Sequence, residues 1–309
     1  MWMLVPGLLL VAAPVVFVIF GRSFIAGAMI SAPNARKVLD VAGDSDARRL
    51  AELGVYAQLR VEVADPPASL SVWLLEPPSP PRGTVLVLHG IRSEKYWMLG
   101  LARLFSRAGY RAVLIDSRGH GRSTGDVLSY GVFEARDASL VLDALGARGL
   151  LAGGVGAVGT SYGAATAIEL SGIDPRVRAV VAIAPFSSLH DVVPVYVARF
   201  LPGVSRLLPN GFVDEAIAEA GRRGGFDPRA ASPLAAMAHT SARVLLIHGQ
   251  DDDHIPSSQS VALHAAAPDR SELVLVAGED HVTINSDRTH VIADRGVEWM
   301  RRYLDGALR

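Results

Sequence analysis

Gly159-Thr160-Ser161-Tyr162-Gly163 sets a serine between glycines in the pattern G-x-S-x-G. A serine hydroxyl is a poor nucleophile near neutral pH unless a base takes its proton and a third group orients that base. The chemistry in question is attack of an activated serine on a carbonyl. The pentapeptide recurs by chance in glycine-rich chains, so its surroundings decide. It follows the apolar run Val155–Gly159, which reads as a buried strand, and opens Tyr162–Leu170, which reads as a helix. A sharp strand-to-helix turn strains the serine backbone and crowds its neighbours, which explains the glycines. The helix N-terminus beneath Ser161 would stabilise developing negative charge.

The chain has nine histidines. For a nucleophile at such a turn the order along the chain is serine, acid, histidine. His281, in Gly278-Glu279-Asp280-His281, directly follows the last predicted strand and is the expected base. His264 and His290 fall on predicted helices and read as surface residues, and His89 reads as packing its own loop. The acid is sought in His248-Gly249-Gln250-Asp251-Asp252-Asp253-His254-Ile255-Pro256. Asp252 suits a loop tip turning back under His281, with Asp251 and then Asp253 as alternatives. Two backbone N–H groups should face the developing oxyanion, those of Tyr162 and of Ile91 in the loop His89-Gly90-Ile91. The aspartates do not alternate around a central glycine as a calcium loop requires, and no second half of a metal site is evident, so neither metal nor cofactor is expected.

These residues need a scaffold that brings them together. Leu59–Val63 and Leu70–Leu75 read as a β-hairpin, with the Pro-rich stretch 77–81 as a turn. Short apolar runs then alternate with helical segments. The strands are Thr84–Leu88, Ala112–Ile115, Val155–Gly159, Val177–Ala182, Val244–Ile247 and Glu272–Val276. The helices are Lys95–Arg107, Glu134–Leu145, Tyr162–Leu170, Ser257–Ala266 and Thr289–Leu304. That alternation predicts an α/β fold with a mostly parallel sheet covered on both faces, and in such sheets chemistry sits beyond the C-terminal strand ends.

Composition narrows the function classes. The 309 residues include 30 basic and 31 acidic side chains, which argues against nucleic-acid binding. The absence of cysteine excludes disulfides, thiolate metal sites and a thiol nucleophile. Residues 1–35 carry one charged side chain, Arg22, and the run from Trp2 to Phe20 is uncharged. As a helix that run would be about 29 Å long, against a hydrocarbon thickness of ~30 Å. It predicts a single N-terminal transmembrane helix, with a cleaved signal peptide ending near Ala26-Gly27-Ala28 as the alternative. Basic residues follow the run and none precedes it, which places the body in the cytoplasm. The expected organisation is an anchor and flank at 1–35, a helical spacer at 36–58 and a catalytic domain at 59–309, with a cap insertion at about 186–240.

Five segments, in this order, resemble the α/β-hydrolase superfamily of the serine-hydrolase type. They are Leu88-His89-Gly90, Asp116–Ser123, Gly159–Gly163, His248–Asp252 and Gly278–His281. The resemblance covers about residues 60–305 and implies the α/β-hydrolase fold and hydrolysis through an acyl-enzyme. The aspartate nucleophile of related dehalogenases is absent, because Ser161 occupies that position. The N-terminal anchor also resembles a membrane-associated subgroup that includes lipid and thioester deacylases. The cap segment carries Phe186, Val192, Val193, Tyr196, Val197 and Phe200, which suits both packing and an acyl pocket. The expected substrate is a small molecule, a carboxylic ester or thioester of a hydrophobic acyl group. The alternatives are a peptidase or aminopeptidase, with Asp214, Glu215 or Glu219 meeting the substrate amine, and a catalytically idle ligand-binding scaffold.

Overall fold

The computed structural model describes residues 20–35, 47–203 and 205–305. Strands β1 (Ala57–Ala64) and β2 (Pro67–Leu75) form an antiparallel hairpin. β3 (Gly83–Leu88), β4 (Arg111–Ile115), β5 (Gly154–Thr160), β6 (Val177–Ile183), β7 (Arg243–Gly249) and β8 (Ser271–Val276) follow. The eight strands form one sheet in the order β1-β2-β4-β3-β5-β6-β7-β8. β2 runs antiparallel to β4, and β3 through β8 are parallel. The edge hairpin shows the period-two pattern of a half-solvated strand: Val61 and Val63 are buried while Arg60 and Glu62 are exposed. β3 is buried along its whole length, as its unbroken apolar sequence requires.

Alternation along β3 divides the core. Leu86 and Leu88 pack with helix α4 (Val132–Ala147) and helix α5 (Tyr162–Ile173) on one face. Val85 and Val87 pack with α3 (Leu99–Arg107) and α10 (Val297–Leu304) on the other. Between β6 and β7 come α6 (Leu189–Phe200), α7 (Phe212–Gly224) and α8 (Pro233–His239). α8 adds Met237 to the first core. α6 and α7 instead form a third cluster over the C-terminal strand ends, with Tyr130, Phe133, Tyr162 and Phe186. α9 (Ser258–Ala266) links β7 to β8.

Two predicted helices start later than their apolar patterns suggest. Lys95–Met98 forms a 3₁₀ turn before α3, because Asp116 accepts both the Lys95 backbone N–H (2.7 Å) and its ammonium (2.6 Å). Ahead of α10, His290 has φ 57°, which breaks a helix from Thr289. Asp287 then caps the next turn by accepting from the N–H groups of Ile292 (2.7 Å) and Ala293 (2.9 Å).

Apart from Phe20, the apolar run Trp2–Phe20 lies outside the described residues, as do residues 36–46 of the spacer. No helix among the described residues is long and apolar enough to cross a membrane. Residues 20–30 are helical and constitute α1, and Ala47–Glu52 forms α2. The sequence suggests a flank apart from the body, yet α1 and the residues after it are built into it. Ala26 is fully buried, the Tyr130 hydroxyl donates to Met29 O (3.2 Å), the Leu128 N–H to Ile30 O (3.1 Å), and the Asn34 N–H to Gly119 O (3.1 Å). Arg22 pairs with Glu215, and the Arg223 guanidinium donates to Ser23 O (3.1 Å), so α1 is tied to α7.

Candidate active site

β5 ends at Thr160 and α5 begins at Tyr162, leaving Ser161 as the whole turn. Its backbone sits at φ 52°, ψ −115°, a strained conformation for a residue with a side chain. The flanking glycines permit that turn: a Cβ on Gly159 would lie 2.3 Å from Gly163 O, and one on Gly163 would lie 2.4 Å from Leu88 O. Anything larger would push the helix off the sheet. Tyr162 is the first residue of α5, so its N–H has no acceptor within the helix.

β7 and β8 deliver the other two groups. Asp252 follows β7, and its carboxylate is fully shielded from solvent. Oδ1 accepts the backbone N–H groups of His254 (2.9 Å) and Ile255 (2.8 Å). Oδ2 accepts from His281 Nδ1 at 2.7 Å, and His281 Nε2 lies 3.1 Å from Ser161 Oγ. A carboxylate can only accept, so Nδ1 carries the proton and Nε2 offers its lone pair to the serine hydroxyl. Burial pushes the Asp252 carboxyl up, but hydrogen bonds from His248, His281 and the Ile255 N–H outweigh it and hold it well below the ordinary carboxylate range. Of the three adjacent aspartates, Asp251 and Asp253 are exposed, and Asp253 pairs with Arg199 at 2.6 Å. Gly249 lets the His281 loop fold back over β7, since a Cβ there would lie 2.2 Å from Glu279 O.

Sheet order brings the Gly90–Ile91 loop to the same place, because β3 is the neighbour of β5. Gly90 and Ile91 line one cavity with Ser161. Two buried histidines hold this loop. His89 Nδ1 donates to Gly90 O (2.8 Å) while its Nε2 accepts the Ser117 N–H (3.0 Å). His120 Nδ1 donates to Arg118 O (2.9 Å) while its Nε2 accepts the Arg92 N–H (3.1 Å). Each ring makes one donor and one acceptor contact, so both are neutral imidazoles. Burial depresses both, His120 to about 3. The structure thus brings together Ser161, Asp252, His281, Ile91 and Tyr162. The hydrogen-bonded line of Asp252, His281 and Ser161 can deprotonate a hydroxyl.

The family described as serine aminopeptidase, S33 (Hydrolase_4) matches residues 79–224, a stretch that includes Ser161 and ends before Asp252 and His281. An esterase of Pyrococcus furiosus shares the fold with a TM-score of 0.67 at 20% identity, over 85% of this chain and 98% of that one. The chain has the α/β-hydrolase fold. A Pyrococcus horikoshii acylaminoacyl peptidase shares the fold with a TM-score of 0.60 at 18% identity, over 85% of this chain and 44% of that one. The uncharacterized protein YqkD of Bacillus subtilis is 29% identical over 209 residues, which is 67% of each chain.

The protein has a cavity of about 1080 Å³ above Ser161 and His281. Its walls are largely apolar: Ile25 and Met29 from α1, Val193 and Val197 from α6, and Leu101 and Leu104 from α3. Three further polar residues meet the site without having been singled out by spacing. His248 Nε2 donates to Ile255 O (2.8 Å) and lies 3.2 Å from Asp252 Oδ2, while its Nδ1 accepts from Ser260 Oγ (2.6 Å). The ring of His254 lies 5.0 Å from that of His281 and lines the cavity. Tyr196 on α6 also lines it, and its phenol is raised to about 12, by burial first and then by the Asp252 charge, with a Ser161 hydrogen bond acting the other way. His248 begins the segment searched for the acid, but only the fold of the loop after β7 turns it toward Asp252. Tyr196 was not separable from its apolar neighbours, because only the path of α6 aims it at the serine.

Proposed function

We propose that the protein is a serine hydrolase that cleaves a carboxylic ester or thioester of a hydrophobic acyl group. The observation that carries this reading is the hydrogen-bonded line Asp252–His281–Ser161 opening into an apolar cavity. His281 Nε2 takes the Ser161 proton as Oγ attacks the acyl carbonyl carbon. The oxyanion is held by the N–H groups of Tyr162 and Ile91, and Asp252 stabilises the imidazolium. The carbonyl re-forms, the leaving alkoxide or thiolate departs with the proton from His281, and the acyl group remains on Ser161. Water, deprotonated by His281, attacks that ester and frees the acid. None of these steps calls for a metal or cofactor. The apolar N-terminal run holds the chain at a membrane, with the body on the cytoplasmic side by the distribution of Arg and Lys.

An ester or thioester is favoured over a peptide with a free amine. Of the aspartates and glutamates among the described residues, Asp287 lines the cavity, and both its oxygens are taken by backbone N–H groups. The three cap acids considered for an amine are not in the wall: Glu215 pairs with Arg22, Glu219 with Arg222 and Arg223, and Asp214 lies outside the lining.

The test is labelling of the detergent-solubilised protein with a fluorophosphonate. The native chain is expected to label, and Ser161→Ala and His281→Ala are not. Ser161→Ala should lower turnover of a medium-chain acyl ester by about four to six orders of magnitude. A folded native protein that fails to label would overturn the reading and favour a binding scaffold.

A further inference from the structure

The mouth of the cavity is ringed by exposed apolar side chains from separate parts of the fold. Phe24 comes from α1, Trp97 from the turn before α3, Phe200 and Leu201 from the end of α6, and Val282 from the loop after His281. Phe24, Trp97 and Phe200 expose 74%, 66% and 73% of their surface. Scattered single apolar residues on a surface need no explanation, but a contiguous rim around a functional opening marks an interaction face.

We infer that this rim docks onto a lipid bilayer, and that the acyl substrate enters the cavity from the lipid phase. The inference rests on the hydrolase reading of Ser161. Three observations select a bilayer as the occupant. The uncharged run Trp2–Phe20 precedes α1 along the chain, and α1 is both a wall of the cavity and part of its rim, so the run joins the body at the element that forms the mouth. Trp97 is an exposed indole at the rim, the side chain suited to a membrane–water boundary. Arg92 and Arg107 are exposed and line the same mouth, where guanidinium groups would meet lipid phosphates beside the inserted apolar tips. The substrate class follows: an ester or thioester whose acyl chain resides in the membrane.

Trp97 supplies its own probe. The other tryptophans are Trp2, in the apolar run, and Trp73 and Trp299, which are buried. In the full chain carrying Trp2→Phe, exposed indole emission therefore reports on Trp97. That protein is mixed with vesicles of phosphatidylcholine and phosphatidylglycerol whose acyl chains are brominated. The expected result is a blue shift and quenching of Trp97, both missing when Trp97→Phe is added. If the vesicles do not bind, or bind without quenching Trp97, the inference is overturned. A blue shift that depends on protein concentration without vesicles would also overturn it, by assigning the rim to a second copy of the chain. Far-UV circular dichroism shows that both variants are folded. Fluorophosphonate labelling of the Trp2→Phe protein reports on the hydrolase reading separately from membrane docking.

Discussion

His248 donates from Nε2 to Ile255 O and approaches the same Asp252 oxygen that accepts the His281 Nδ1 hydrogen bond. It is fully buried, and Ser260 fixes its other nitrogen. Such a residue touches no substrate and acts by holding the carboxylate in position. Removing a hydrogen-bond donor from a buried carboxylate costs about 1.5–3 kcal/mol. His248→Ala should therefore lower kcat by about ten- to a hundred-fold with little change in KM. It should also leave a signature in stability. Asp252 titrates lower in the folded chain than in the unfolded one, so its contribution is full above about pH 4 and is lost as pH falls through the folded value. The stability deficit of His248→Ala is then largest above about pH 4 and fades in acid, as followed by thermal unfolding across pH. A deficit independent of pH would mean simple loss of packing. At this scale the sequence was informative: Ser161 and His281 stood out because strand ends restrict where a nucleophile and its base can lie. Choosing Asp252 among three aspartates rested on where a loop tip would turn. The structure supplies what that argument lacked, since Asp252 alone of the three is buried beneath His281.

At the scale of elements, α1 is the part of the chain whose placement matters most to substrate binding. It contributes Phe24, Ile25, Ala28 and Met29 to the cavity, while Ala26 faces the buried cluster beneath. Replacing Ala26 with Asp places an unpaired charge in an apolar contact and should lift α1 from its seat. Fluorophosphonate labelling of Ser161 should persist, and KM for a long-chain acyl ester should rise far more than KM for an acetyl ester. Equal changes for both esters would show that α1 is not a wall of the acyl site. Sequence periodicity located the eight strands and helices α3, α4, α5, α9 and α10, because continuous apolar strands and amphipathic helices carry different patterns, but it did not locate α6, α7 and α8 of the cap segment. It did not show that residues 20–35 belong to the body, because an apolar helix looks alike whether it meets lipid or a protein groove. The delayed starts of α3 and α10 were equally hidden, since they depend on Asp116 and Asp287 capturing backbone N–H groups.

The stability of the whole molecule carries a penalty at its centre. Glu169 on α5 is buried near Glu134 on α4, and neither of its carboxyl oxygens has a hydrogen-bond partner among the described residues. Burial and then the Glu134 charge push its carboxyl well above the ordinary value. The folded chain therefore keeps a proton that the unfolded chain releases near pH 4.3. Folded protein then binds more protons than unfolded, so stability falls as pH rises from about 4.3 toward the raised folded value. Glu169→Met, which fills similar volume without a charge, should be more stable than the parent at neutral pH. That advantage should shrink toward about pH 4, where both states of the parent are protonated. Melting temperatures measured from acid to neutral pH would show it, and an advantage constant with pH would count against a protonated Glu169.

The α/β class, the order of the chemical residues along the chain, and Ser161 and His281 of the candidate triad follow from the sequence alone. Local patterns encode them: apolar runs of strand length, a strand-to-helix turn between glycines, and polar residues just beyond later strands. Tertiary structure decided the rest. Sheet order makes β3 the neighbour of β5 and so brings Ile91 to Ser161, and the fold of the β7 loop selects Asp252. The packing of α1 and α6 sets the cavity and its apolar rim. These features depend on contacts between residues far apart in the chain, and no local pattern of residues specifies which distant segments will meet.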